Sequence, residues 1–196
     1  MQFYIYGVEE AEKEFSRDNS LTNNKQISSW AEQYIIKHSK GLDFQPIIAY
    51  GEKGKPFFQN NNSLHFSISH TQGYIAICFH NKPIGIDIEY LRKAKKEIVQ
   101  RFFHPKEYEY LNQIQDQITL NQEFTRIWTL KEAFVKCTGE GIANNFKAFA
   151  IKTNTQVKDN IQEIEIEFET PQETKYQLFH QYLEENNLYL SICKEI

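Results

Sequence analysis

Asp87 and Glu89 stand one residue apart in the stretch IGIDIEY, residues 84–90. Isoleucines alternating with small and acidic residues predict a strand, whose successive side chains point to opposite faces. Ile84, Ile86 and Ile88 are then expected in a core, with Gly85, Asp87 and Glu89 on the other face. Two carboxylates aimed at one place repel each other unless they are solvated or bridged by a cation. The stretch RIWTLKEAFVKCTGEG, residues 126–141, offers a third. Ile127, Leu130, Phe134 and Cys137 recur there at helical spacing and form a core stripe. Trp128, Glu132 and Lys136 are spaced by four and line a different face. Asp87, Glu89 and Glu132 together make a hard-oxygen set suited to Mg²⁺, which takes a few protein oxygens and completes its shell from water and substrate phosphates. Taken alone, Glu132 and Lys136 fit a solvated surface pair equally well.

Two further stretches suit phosphate. Gly54, Lys55 and Pro56 set a lysine on a turn, although no Ser or Thr follows the lysine as a P-loop requires. Residues 67–73, SISHTQG, end a predicted strand in Ser69, His70 and Thr71 just before a glycine turn. A lone histidine in such a place is more often a hydrogen-bonded structural residue than a functional one.

The elements that must position these side chains follow from periodicity and turn chemistry. Residues 2–8 alternate as a strand, and 26–38 carry Ile27, Trp30 and Tyr34 at helical spacing with Gly41 as the stop. Residues 46–50 read as a short strand, and 51–63 as a turn-rich connection. Residues 64–69, 74–79 and 83–89 are three closely spaced strands, expected as an antiparallel meander. Helices are expected over 91–103, from Pro105 onward, and over 121–139, where Gly139 and Gly141 stop the longest. Strands follow at 147–151, 161–168, 174–182 and 187–193. The sum is an α+β fold with a seam near residues 90–96, and the two sides are nearly equal in length.

Composition narrows the functional classes. A chain of 196 residues is long enough for one good core or two small subdomains. A net charge of −4 provides no global field for nucleic acid. No apolar run is long enough to span a bilayer, and the N-terminal residues lack a secretory pattern, so a cytoplasmic protein is expected. Cys78, Cys137 and Cys193 have no metal or redox spacing and are expected as reduced, mostly buried thiols.

GKP, FSISH, IGIDIE, FHPKEYEYL and WTLKEAFVKCTGEGI, in this order and spacing, resemble the 4'-phosphopantetheinyl transferases. The resemblance is to their monomeric, pseudo-duplicated class, and is close over about residues 46–150. It implies two similar subdomains, 1–92 and 93–196, related by a pseudo-two-fold. Each would be a small antiparallel sheet packed with helices, with the active site at their cleft. It implies Mg²⁺-dependent transfer of phosphopantetheine from coenzyme A to a serine of an acyl or peptidyl carrier protein, releasing adenosine 3',5'-bisphosphate. By motif, Asp87, Glu89 and Glu132 resemble the metal ligands, and Lys136 and His70 the phosphate contacts. Lys55, Pro56 and Ser69 resemble contacts to the nucleotide end of coenzyme A. The serine proton would pass to Glu132 or to a metal-bound water.

The chain departs from the family at one point. The basic cluster expected to grip the 3'-phosphate of coenzyme A is replaced by EKEFSRDNSLTNNK, where only Lys13, Arg17 and Lys25 could stand in. Arg92, Lys93, Lys95, Lys96 and Arg101 form a patch suited either to an acidic carrier helix or simply to solvent. Phe102 and Phe103 are expected in the core. A Mg²⁺-dependent nuclease would use similar carboxylates but should show a basic groove. A catalytically inactive carrier-binding homologue has no evident need for three acids.

Overall fold

The computed structural model describes residues 1–9, 29–35, 44–141, 146–153, 161–169 and 173–196. It is an α+β structure in which two antiparallel sheets face each other and one long helix lies against the second. Strand β1 (Gln2–Gly7), β4 (His65–Thr71) and β5 (Tyr74–His80) form the first sheet in the order β1-β5-β4. Residues 29–35 are helical, and Trp30, Tyr34 and Ile35 bury themselves with Phe58, Phe66, Ile75 and Ile77 on one face of that sheet. Ile27 and Gly41, expected in the same helix and as its stop, lie outside the described residues. The segment expected as a pure connection contains a strand. β3 (Pro56–Phe58) pairs with β2 (Ile48–Tyr50), so residues 51–55 are the turn of a hairpin.

The expected meander is corrected at its third member. β4 and β5 pair in register, Ser69 opposite Ala76, but β6 (Ile84–Tyr90) leaves them. It pairs instead with the last strand, β11 (Leu188–Glu195), placing Ser191 opposite Asp87 and Cys193 opposite Gly85. The second sheet is completed by β10 (Tyr176–Leu183) and β8 (Gln162–Ile164), in the order β6-β11-β10-β8. Two three-residue strands, β7 (Phe149–Ile151) and β9 (Ile166–Phe168), pair separately.

Side-chain parity then divides the core. Ile84, Ile86 and Ile88 pack with Leu190 and Ile192 against Ala76 and Cys78 of the first sheet. The opposite parity of β6 faces the helices. These are α1 (Lys96–Phe102), α2 (Pro105–Gln113) and α3 (Gln117–Thr138). The helix expected over 91–103 begins only at Lys96, because residues 91–95 form an extended strap. Arg92 N–H donates to Thr125 Oγ1 at 2.9 Å and Ala94 N–H to Asn121 Oδ1 at 2.9 Å. Pro105 opens α2 behind a His104 cap whose partner is Glu107. The α3 stripe is buried as expected, with Ile127, Leu130, Phe134 and Cys137 each at most 5% exposed. Phe102 and Phe103 pack in the same cluster. The helix starts four residues earlier than periodicity suggests. Asp116 caps it by accepting from Thr119 N–H at 2.7 Å, and Gly139 ends it in the left-handed region at φ 76°.

Candidate active site

Gly85 decides where the long helix sits. A Cβ built there would lie 2.0 Å from the Ala133 carbonyl oxygen and 2.4 Å from the Cys137 nitrogen. Helix backbone therefore rests directly on strand backbone, closer than any other residue permits. The glycine makes room for the helix itself, which explains its place two residues before Asp87. With Ala133 and Cys137 seated on Gly85, the intervening face of α3 turns toward Asp87. Lys136 Nζ reaches Asp87 Oδ1 at 2.7 Å.

Ser69 completes this cluster from the first sheet. Its hydroxyl donates to Asp87 Oδ1 at 2.8 Å, accepts from Lys136 Nζ at 2.9 Å and accepts from Ile88 N–H at 3.3 Å. Ser67 accepts from Ile86 N–H at 3.2 Å. β4 and β6 are edge strands of different sheets, so these serine oxygens satisfy amide groups that no ladder reaches. The family resemblance implies Ser69 as a contact to the nucleotide end of coenzyme A. Here its hydroxyl is committed to Asp87, Lys136 and the β6 edge, and it is Ser67 that lines the adjoining cavity.

The acids are crowded and short of positive charge. Asp87 is 4% exposed, and its Oδ2 is buried without a hydrogen-bond partner. Glu132 is pushed up to about 7, first by burial and then by the Asp87 charge, with Lys136 opposing. Glu89 is also raised, by burial and by Asp87, with Arg92 opposing. His70 is lowered by burial and by the Lys136 charge. Among the described residues, no three His, Cys, Asp or Glu side chains stand in a geometry that would hold a metal ion. Even so, the donor set suits a divalent cation: one orphaned buried carboxylate oxygen beside two carboxyls whose ionisation is disfavoured by that same charge.

One residue of the site escaped sequence reading. Arg92, grouped above with a carrier-docking patch, turns inward. Its Nη1 donates to Glu89 Oε1 at 2.8 Å, and its guanidinium carbon lies 5.0 Å from the centre of the Trp128 ring. Trp128 in turn stacks with Phe103 and Phe124. The aromatic that opens the Trp128–Glu132–Lys136 line thus orients the arginine that holds Glu89. Lys93, Lys95, Lys96 and Arg101 remain exposed.

A cavity of about 360 Å³ opens beside the cluster. Lys55 and Pro56 come to it from the hairpin, Ser67 from β4, and Glu132 and Lys136 from α3. Lys13, Arg17 and Lys25 lie outside the described residues.

Residues 83–193 match the 4'-phosphopantetheinyl transferase superfamily. The chain belongs to this family. It is 37% identical over 108 residues to a 4'-phosphopantetheinyl transferase of Bacillus subtilis, covering 54% of this chain and 47% of that protein. It is 42% identical over 101 residues to the 4'-phosphopantetheinyl transferase HetI of Nostoc, covering 48% and 42%. It is 33% identical over 119 residues to the 4'-phosphopantetheinyl transferase Sfp of Bacillus subtilis, covering 60% and 53%. The chain spans about half the length of these curated relatives. Among solved structures it is similar to Thermotoga maritima holo-[acyl-carrier-protein] synthase, with 14% identity, a TM-score of 0.41 and coverage of 58% and 62%. Both acids of IGIDIE and the whole WTLKEAFVK segment of this phosphopantetheinyl transferase family member lie inside the matched region. No helix among the described residues is long and apolar enough to cross a membrane.

Proposed function

We propose that this protein transfers the 4'-phosphopantetheine group of coenzyme A to a serine of an apo acyl or peptidyl carrier protein, in a Mg²⁺-dependent reaction. The observation that carries this reading is the orphaned Oδ2 of Asp87, buried beside Lys136, which with Glu132 lines a cavity of about 360 Å³ in a member of this family. Asp87, Glu89 and Glu132 would hold the Mg²⁺. When bound, the ion neutralises pyrophosphate charge and orients the displacement.

The chain's own groups account for the rest. The carrier serine oxygen forms a bond to the β-phosphorus, and the bond from that phosphorus to the bridging oxygen breaks. Adenosine 3',5'-bisphosphate leaves with the bonding pair. Lys136 exchanges Asp87 for a substrate phosphate and stabilises charge on the leaving group through a charge-assisted hydrogen bond. His70 lies within the electrostatic reach of Lys136 and Asp87 and would add a donor to the same phosphate. Glu132, at the wall of the cavity, would accept the serine proton. Ser69 orients Asp87, and Arg92 orients Glu89. Exposed Lys93, Lys95 and Lys96 lie just beyond β6, where an acidic carrier could dock.

The test is mass spectrometry of several apo-carrier proteins incubated with the protein, coenzyme A and Mg²⁺. Gain of one phosphopantetheine mass on the carrier serine is expected. Failure on all carriers would overturn the reading.

A further inference from the structure

Helix α3 is seated on the second sheet at two places that do different things. At one, helix backbone rests on Gly85, which fixes how closely the helix approaches. A glycine has no side chain to oppose movement along the helix axis, and the apolar neighbours Leu130, Leu178 and Cys193 attract without direction. At the other, α3 meets polar side chains. Ser191, which stands directly opposite Asp87 on β11, donates from Oγ to Thr129 Oγ1 at 2.9 Å. Thr129 Oγ1 donates in turn to the Arg126 carbonyl at 3.0 Å, and His180 Nδ1 of β10 lies 3.0 Å from the Ser191 hydroxyl. Ser191, Thr129 and His180 are each at most 2% exposed.

This polar seam is costly to bury. Arg126 donates from Nε and Nη2 to Glu123, but its Nη1 and the Nε2 of His180 are buried without hydrogen-bond partners among the described residues. Apolar side chains in these places would strand no such groups, so stability alone does not explain the seam. Hydrogen bonds add what apolar contacts lack, a single register of helix against strand. Thr129 precedes Glu132 by three residues and Lys136 by seven, about one and two turns of α3. A shift of one residue moves both by about 1.5 Å along the axis and about 100° around it. The tie from Lys136 to Asp87 holds the helix only until Lys136 turns to a substrate phosphate. The Ser191–Thr129 bond touches no reacting group and persists through transfer.

We infer that Ser191 and Thr129 are positioning residues of the transfer reaction. Their hydrogen bond fixes the register of α3 on β11, and with it the place of Glu132 and Lys136 against Asp87. The inference rests on the phosphopantetheine-transfer reading above.

The test compares Thr129→Val, which keeps the shape and removes the hydroxyl, with Thr129→Ser, which keeps the hydroxyl, and with Ser191→Ala. Each is assayed for carrier loading at a temperature where circular dichroism shows it folded. Thr129→Val and Ser191→Ala should each lower kcat about tenfold or more and move KM for coenzyme A by less than about twofold, the pattern of a misplaced group rather than a lost substrate contact. Thr129→Ser should recover most of kcat. The double variant should lose little more than the worse single one, because both changes remove the same bond. A lower thermal midpoint with kcat unchanged would overturn the inference, as would Thr129→Ser being as slow as Thr129→Val. Acetylation of Lys136 without coenzyme A or metal, followed by peptide mass spectrometry against exposed Lys93, reads the register independently of transfer. Held by Asp87 and Ser69, Lys136 should react slowly in the wild type and in Thr129→Ser, and faster in Thr129→Val and Ser191→Ala. If the wild-type protein loads no carrier, the proposed function fails, and the labelling decides for the seam: equal rates in all four proteins would overturn it.

Discussion

Replacing Lys131 by methionine should destabilise the protein severely while leaving the reacting groups in place. Lys131 adjoins Glu132 in sequence but points to the opposite side of α3, where it is fully buried. Its ammonium donates to the carbonyls of Phe146 and Phe149 and pairs with Glu107 Oε2 at 3.0 Å. It also lies 4.1 Å from the centre of the Phe149 ring. Glu107 is equally buried and accepts from Ile151 N–H at 2.8 Å and His104 N–H at 2.9 Å. Burial pushes Lys131 down to about 8 and raises Glu107, and the attraction of each for the other opposes both shifts. Methionine would leave a buried carboxylate without its counter-ion and two carbonyls without donors. Removing one partner of such a pair costs about 3–5 kcal/mol. That is a large share of the roughly 5–15 kcal/mol by which domains are stable. Urea unfolding would read it as a lower midpoint. Adding Glu107→Gln should cost less than the sum of the two single changes, because the second removes the charge stranded by the first. A cost under about 1 kcal/mol, or strict additivity, would refute the role of this knot. Transfer lost with stability unchanged would place Lys131 in the chemistry instead.

Gly85→Ala should be at least as disruptive, because the added methyl meets helix backbone at 2.0 Å and only separation of α3 from β6 relieves it. Stability should fall by about 1–3 kcal/mol or more, and transfer should fall further than the loss of folded protein explains, since Lys136 moves with the helix. Wild-type activity in this variant would sink the account of the contact. His180 should stay neutral well into acid, because burial and then the Arg126 charge push it down to about 3. Thr129 Oγ1 donates to the Arg126 carbonyl at 3.0 Å and Ser191 Oγ to Thr129 Oγ1 at 2.9 Å, so Nδ1–H of His180 must donate to Ser191. The unfolded chain takes up a proton near pH 6.5 that the folded one refuses, so stability falls as pH drops through this range. The loss at pH 5 is about 2 kcal/mol, and His180→Gln should remove it. Nitrogen-15 NMR showing His180 charged at pH 6 would contradict this.

The local grammar of the chain was readable where one element decided the outcome. Parity alone placed Ile84, Ile86 and Ile88 opposite Gly85, Asp87 and Glu89, and the 3.6-residue period found the buried stripe of α3. Long-range pairing was not readable in this way. The ladder between β6 and β11 joins residues about a hundred positions apart, and nothing in the 83–89 stretch says that its partner is the last strand rather than the preceding one. The same gap hid the partner of Gly85 and the turning of Arg92 onto Trp128. The KE pair of WTLKEAFVK looks uniform in sequence, yet helical geometry sends Glu132 to the cavity and Lys131 into the core. Ser67 and Ser69 read as strand polar residues. Their work in closing the edge of β6 depends on two sheets meeting, which only the assembled fold reveals.

The most direct test of the central claim, that Asp87, Glu89 and Glu132 hold one divalent cation at the pyrophosphate, is metal binding itself. Mn²⁺ can stand in for Mg²⁺, with the free ion followed by electron paramagnetic resonance in the presence of coenzyme A. The wild-type protein should bind one Mn²⁺ saturably, and Asp87→Asn and Glu132→Gln should each weaken that binding at least tenfold while remaining folded. Unaltered Mn²⁺ affinity in Asp87→Asn would contradict the account.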